Sequence, residues 1–299
     1  MSDVDALIAE GLVVADAPLG PLTTYKAGGP ARFLATIDSR TDLARLIASG
    51  LTASLDILVL GRGSNLVVSD SGFDGLAVRL GREFSSIAVE GTAVTGGGAT
   101  PLARLARAAV DSGVLGLEFF VGVPGSVGGA VRQNAGCFGV ETTDRLISAE
   151  VIDITSGDQR TATSDDLELS YRHSNLTTTD LVVVATFQGE RGDPDQGRDL
   201  MREVTRWRRD NQPGGTLNAG SVFKNPPSMP AGRLIDDLGL KGTTIGGVSV
   251  STKHANFFVA GPDATSEDIR RLVEHVKDTV FERSGTMLEP EIQFVGFEE

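Results

Sequence analysis

The chain has 299 residues, 40% of them hydrophobic and 22% charged, the balance of an ordinary folded protein with room for two or three domains. Its net charge of -13, with no stripe of Lys and Arg, excludes the wrapping of a nucleic-acid backbone, and its single cysteine, Cys137, excludes a disulfide framework and a Cys-rich metal site. The opening MSDVDALIAEGLVV is acidic where a secretion signal is basic, and no apolar run approaches the roughly 18 residues of a membrane span, so a cytoplasmic protein away from the membrane is expected.

Strand-type and helix-type segments alternate, with no internal repeat. The first predicted helix covers 39–50, where Leu43, Leu46 and Ile47 share a face and Gly50 is the stop. Strands come next at 57–61, 65–70 and 75–80. The next helix, 99–113, takes Thr100 as N-cap and Pro101 as its first residue, with Leu102, Leu105, Ala106, Ala109 and Val110 as its stripe and Gly113 as its end. Strands at 148–154 and 181–187 precede a helix over 196–209 through Leu200, Val204 and Trp207. The last helix, 265–285, carries Ile269, Leu272, Val273, Val276, Val280 and Phe281; Thr265 and Asp268 form its capping box and Gly285 its C-terminal cap. A strand at 291–297 completes the set. Several strands are joined by turns too short for a crossover helix, which predicts an α+β fold with partly antiparallel sheets. The polar stretch 189–197 is the best domain boundary, and a second break falls near 81–86.

The stretch ILVLGRGSNLVVSD, 57–70, enters a Gly-x-Gly turn from a strand, as a Rossmann unit does. Its third glycine position is Leu66, and the residues beyond the turn read as strand rather than helix, so the Rossmann reading fails. The turn still offers successive N–H groups to a phosphate, with Ser64 and Asn65 as side-chain donors. Taken alone, it reads more readily as an ordinary tight turn. A second glycine-dense segment, GVPGSVGGAVRQNAG at 122–136, has the small-residue composition of a loop draped over a flat polar ligand. A third, TTYKAGGPARF at 23–33, sets two glycines beside Lys26 and Arg32. Together the three predict a long ligand gripped mainly by backbone, such as a dinucleotide.

In this order, TYKAGGPA, GRGSNLVVSD, GVPGSVGGAVRQNAG, SYRHS, NAGSVFKNP, STKHANF and LEPEI closely resemble the UDP-N-acetylenolpyruvoylglucosamine reductase (MurB) family of peptidoglycan synthesis. The resemblance implies a two-subdomain FAD-binding α+β fold of the vanillyl-alcohol-oxidase type, followed by a C-terminal α+β substrate-binding domain. It divides the chain into FAD-binding subdomains at 1–82 and 83–195 and a substrate domain at 196–290, with 291–299 returning to the first subdomain. The implied reaction uses NADPH to reduce non-covalent FAD. Hydride then passes to C3 of the enolpyruvyl ether of UDP-N-acetylglucosamine and a proton to C2, giving UDP-N-acetylmuramate.

By this resemblance Ser221 matches the proton donor, Arg172 the active-site arginine and Glu291 the catalytic glutamate. The chemistry suits them. A positioned serine hydroxyl can protonate a strongly basic carbanion-like carbon, and a guanidinium can fork onto a carboxylate as charge builds there. Glu291, if protonated by burial, can donate to the same carboxylate; Glu289 would face the other way along an extended segment. Without the resemblance these residues read as a turn-capping serine, a surface ion-pair arginine and a strand-end carboxylate. The implied FAD contacts are Tyr25, Gly28, Gly61, Gly63, Ser64, Asn65, Gly122, Pro124, Gly125, Ser126, Gly128, Gly129, Asn134, Ala135 and Gly136. The implied contacts to the nucleotide-sugar substrate are Arg209, Gln212, Lys224, Asn225 and His254, the last also readable as a packed core histidine. His173 and His275 read as structural or exposed, and no residue spacing suggests a metal site.

Two departures from the family pattern stand out. The chain reads QNAGCFG where members often read MNAGAYG, and Cys137 and Phe138 are taken as conservative packing changes. Between 172 and 221 there is no room for the tyrosine-bearing loop of the longer branch, so the chain resembles the shorter, type II form. The rival reading is a flavin-dependent alcohol or sugar oxidase of the same superfamily. Many of those anchor FAD through a His or Cys in the first glycine loop, and GRGSNLVVSD has neither.

Overall fold

A computed structural model of the chain describes residues 3–297. The chain forms two compact units. The first comprises the chain through Ala17, Arg32–Arg62 and Gly75–Arg206; the second comprises Pro18–Ala31, Gly63–Asp74 and the chain from Trp207.

The first unit holds a four-stranded mixed sheet and a five-stranded antiparallel one. The mixed sheet runs in the order Val13–Pro18, Pro30–Ile37, Phe73–Leu80, Ile57–Val59, with the last two strands parallel. The antiparallel sheet runs Gln159–Ala162, Leu146–Asp153, Asp180–Gln188, Ala93–Gly97, Ile87–Glu90. Asp180–Gln188 is its middle strand and nearly all buried, as its run of Val and Leu requires. Helix Leu102–Asp111 buries the whole predicted stripe from Leu102 to Val110. It starts one residue later than expected. Pro101 is the extended flanking residue, and the Thr100 hydroxyl donates to the Ser86 carbonyl (3.1 Å) instead of capping the helix. Helix Arg40–Ala48 is capped by Ser39, whose Oγ accepts from the Asp42 N–H.

The second unit is built around the long helix Ser266–Ser284, the three-stranded antiparallel sheet Thr244–Ile245, Val248–Val250, Phe258–Ala260, and the parallel pair Leu66–Val68 with Gln293–Val295. The capping box of Thr265 and Asp268 is present, and Gly285 closes the helix at φ +71°, a conformation that glycine adopts without strain. Both oxygens of Asp70 also accept from this helix's first turn, at the N–H groups of Ser266 (3.0 Å) and Glu267 (3.1 Å). Phe281 does not join the buried stripe; it is exposed, while Ile269, Leu272, Val273, Val276 and Val280 are buried. Helix Pro194–Asn211 likewise buries Val204 but leaves Leu200 and Trp207 exposed.

The two strands flanking the glycine turn do not pair with each other. Ile57–Val59 lies in the mixed sheet, whereas Leu66–Val68 pairs with Gln293–Val295. The glycine-dense segment 122–136 is not all loop either. Val127–Arg132 is a helix, with Ser126 as N-cap accepting from the Gly129 N–H. VGGAVR has weak helix propensity, so tertiary contacts hold this turn. Gly128 donates to the Gly98 carbonyl (2.9 Å), and a Cβ on Gly128 would sit 3.2 Å from the carbonyl oxygens of both Gly98 and Val182. No helix among the described residues is long and apolar enough to cross a membrane.

Candidate active site

The predicted cofactor loops converge within each unit. In the first, a Cβ on Gly61 would meet only Ser126 Oγ, at 3.1 Å, so the first glycine turn lies beside the cap of the 127–132 helix. In the second, the Thr24 N–H donates to the Gly63 carbonyl (3.0 Å) and the Gly29 N–H to the Ser69 carbonyl (2.8 Å), stitching 23–31 to 63–70. Gly63 must be glycine: its φ is +61°, and a Cβ there would lie 2.2 Å from the Leu22 carbonyl oxygen. Gly28, at φ +114°, is closed in the same way by the Val68 carbonyl. Among the described residues, none accepts a hydrogen bond from the main-chain N–H of Gly61, Arg62 or Gly63. Three consecutive N–H donors in a Gly-Arg-Gly turn fit a diphosphate.

Other predicted cofactor residues are committed within the protein. Tyr25 is buried in the core of the second unit. Its hydroxyl lies by the Ala219 main chain without a well-formed hydrogen bond, and burial pushes its pKa up. The N–H groups of Val127 and Gly128 are spent on the Thr100 and Gly98 carbonyls. Gly122 ends the 3-10 helix Glu118–Gly122, Gly125 accepts from the Leu102 N–H, and Pro124 and Gly129 are exposed. Asn134 is fully buried at φ +39°. Its Nδ2 donates to Glu141 Oε2 (2.9 Å) and the Ser170 carbonyl (3.0 Å), and its Oδ1 accepts from the Thr143 N–H (2.9 Å). Ala135 accepts through its carbonyl from both the N–H and the hydroxyl of Thr142.

Those commitments shape the setting of Arg172. It occupies a tight turn closed by Ser170 and His173, at φ +54°, a strained conformation for a residue of its size. The segment before it is a turn, with Leu167 buried as the anchor. Its guanidinium donates to the carbonyls of Asn134 (3.4 Å) and Gly136 (3.2 Å) and pairs with Glu141 Oε1 (3.4 Å), over the Tyr171 ring. Sequence reasoning missed Glu141. Its signal was only a lone acid after the glycine loop. Nearby, Cys137 Sγ donates to the Phe119 carbonyl, while Phe138 is exposed at φ +55°, so its replacement of tyrosine is not a packing change.

Ser221 and Glu291 come together in the second unit. Ser221 is half-buried and comes directly after Gly220, whose φ is +79° and around which a Cβ would meet nothing within 4 Å. The residues after the serine are held on two sides. Val222 donates to the Asn256 carbonyl (2.8 Å), and the Asn256 side chain accepts from the Phe223 N–H (3.0 Å) and donates to the Phe223 carbonyl (2.8 Å). On the other side the Lys224 N–H donates to the Glu289 carbonyl (2.9 Å) and the Glu291 N–H to the Val222 carbonyl (2.7 Å). The two acids of LEPEI therefore sit differently. Glu289 is 69% exposed and paired with Lys224 Nζ (2.6 Å), while Glu291 is half-buried beside the serine segment. Asn256 was also missed, because a buried carboxamide pairing with backbone leaves no local sequence pattern.

The remaining substrate candidates share this unit. Asn225 Oδ1 accepts from the Ala231 N–H (3.0 Å) at the head of helix Ala231–Asp237. His254 Nδ1 accepts from the Asn256 N–H (3.3 Å), which leaves the proton on Nε2; burial, and then Lys241, lower its pKa and keep it neutral. Gln212 Oε1 is buried without a partner among the described residues, the kind of atom a ligand donor would satisfy. Arg209 is exposed and pairs with Asp210.

Comparison with known proteins places this architecture in a class. Residues 31–163 match the family described as FAD binding domain, and residues 212–295 match the C-terminal domain of UDP-N-acetylenolpyruvoylglucosamine reductase. The chain is thus a flavin-dependent oxidoreductase of α+β class, an FAD-binding domain followed by a reductase domain. It is 42% identical over 286 residues to the UDP-N-acetylenolpyruvoylglucosamine reductase of Parvibaculum lavamentivorans, covering 96% of this chain and 92% of that one. To the Caulobacter vibrioides reductase it is 38% identical over 291 residues, covering 96% of each. The crystal structure of the reductase (MurB) from Thermus caldophilus superposes with a TM-score of 0.81 at 34% identity, over 95% of this chain and 98% of that one. The chain belongs to the UDP-N-acetylenolpyruvoylglucosamine reductase family.

Proposed function

We propose that this protein uses NADPH and non-covalently bound FAD to reduce UDP-N-acetylglucosamine enolpyruvate to UDP-N-acetylmuramate, in the cytoplasm, for peptidoglycan synthesis. The observation that carries the reading is the main-chain bond from Glu291 to Val222, the residue after Ser221, which pairs the segments of the two matched residues although 70 residues separate Ser221 from Glu291. The N–H groups of Gly61, Arg62 and Gly63, with Ser64, support a diphosphate site. When bound, FAD supplies the carrier that takes hydride from NADPH and gives it to C3 of the enol ether.

The chain's own residues handle charge and proton. Hydride at C3 leaves negative charge on C2 and its carboxylate. Arg172 binds that carboxylate, and its hold strengthens as the charge builds. Ser221 Oγ–H delivers the proton to C2, completing the lactyl ether, and regains a proton from solvent. Glu291 in its protonated form donates to the carboxylate beside it. His254, neutral, offers its Nε2–H to the substrate, and Lys224, Asn225, Gln212 and Arg209 serve the nucleotide sugar.

We assign 1–82 and 83–195, with 291–299, to the cofactor and 196–290 to the substrate. The compact units cut the chain differently, because Tyr25, Ala27 and Val67 pack into the core built by the C-terminal residues. The test is the absorption spectrum of the purified protein and its NADPH oxidation with and without the enol ether. A flavin spectrum and oxidation that depends on the enol ether are expected. A protein that cannot be reconstituted with FAD, or that ignores the enol ether, overturns the reading.

A further inference from the structure

Asn65 was expected to turn its carboxamide toward the cofactor, yet its Nδ2 donates to the main-chain carbonyl of Glu291 (2.9 Å), 226 residues away. The contact is reciprocated, since the Asn65 carbonyl accepts from the Gln293 N–H (2.9 Å). It extends the parallel pairing that begins at Leu66 and Gln293 by one residue, at the point where the C-terminal segment changes partner. Before that point the Glu291 N–H belongs to Val222 (2.7 Å).

Both main-chain groups of Glu291 are therefore held, its N–H by the segment just after Ser221 and its C=O by the glycine turn. These groups belong to the two peptide planes that flank its Cα. Fixing both planes fixes φ and ψ, and with them the direction of the Cα–Cβ bond along which the carboxyl is aimed. We propose that Asn65 is a positioning residue for Glu291, acting on the reduction of the enol ether and not on the binding of FAD. This rests on the role given to Glu291 under the proposed function. It also makes Asn65 and the glutamate strand one mechanical piece within the second unit.

The test uses full-length Asn65→Asp holoenzyme, which keeps the shape of the side chain but replaces its N–H donor with an acceptor and adds a negative charge. Three quantities are measured: the FAD dissociation constant, the rate of flavin reduction by NADPH, and the rate at which UDP-N-acetylglucosamine enolpyruvate reoxidises the reduced enzyme. The expected result is reoxidation slowed by about tenfold or more, with the other two within about twofold of wild type. In a Glu291→Gln background, Asn65→Asp should add less than about a further twofold, because its effect passes through Glu291. Asn65→Ala, neutral and smaller, should reproduce the pattern, which separates the lost donor from the added charge and serves in its place if the aspartate does not fold. Weakened FAD binding with normal reoxidation at saturating FAD would show a cofactor contact and overturn the proposal. Full additivity with Glu291→Gln, or wild-type rates throughout, would also overturn it. Loss of enol-ether-dependent turnover in the wild-type protein would instead be a failure of the proposed function.

Discussion

The surroundings of Arg172 and those of Ser221 and Glu291 hold their functional groups by different means. Arg172 rides on a strained two-residue turn, and its charge is held by side-chain contacts of 3.2–3.4 Å, to two carbonyls and to Glu141. Glu291 and the two residues after Ser221 are instead fixed through main chain, by bonds of 2.7–3.0 Å among Val222, Phe223, Asn256, Glu291 and Asn65. A cation that must tighten on a growing negative charge tolerates a loose cage, since its task is electrostatic. A proton donor must lie within hydrogen-bond reach of one carbon, so its backbone has to be set rigidly. The first arrangement should therefore couple weakly to stability and the second strongly.

Substitutions can break that contrast. Arg172→Ala should lower kcat by about 10²–10³-fold, as expected when a preorganised donor to a developing charge is lost. Its unfolding free energy in denaturant should shift by no more than about 1–2 kcal/mol. Asn256→Leu should do the reverse. It strands the N–H and C=O of buried Phe223, a loss of about 2–4 kcal/mol in the same denaturant measurement. A large stability loss in Arg172→Ala, or none in Asn256→Leu, would erase the distinction.

The legibility of these features in the sequence depends on the range of their contacts. The 266–284 helix could be read to within a residue at each end, because its capping box and terminal glycine are local. The failure of the Rossmann pattern at Leu66 was local too, and the strand after the turn bears it out. Pro30–Ile37 was half hidden, its first residues taken for the end of a glycine loop. The 127–132 helix had no local support, since its glycines are there to approach Gly98 and Val182. The side chains that set the candidate site, Glu141, Asn65 and Asn256, depend on partners distant in sequence or on paired backbone. The ordered motifs pointed to Ser221, Arg172 and Glu291 as candidates, but not to the contacts that hold them.

The central claim, that Ser221 supplies a proton to a substrate reduced at a separate step from flavin reduction, is tested most directly by stopped-flow spectroscopy of Ser221→Ala. NADPH should reduce its flavin at the wild-type rate, while the enol ether should reoxidise it at least about 10²-fold more slowly. Reoxidation at the wild-type rate, or equal slowing of both steps, would contradict the account.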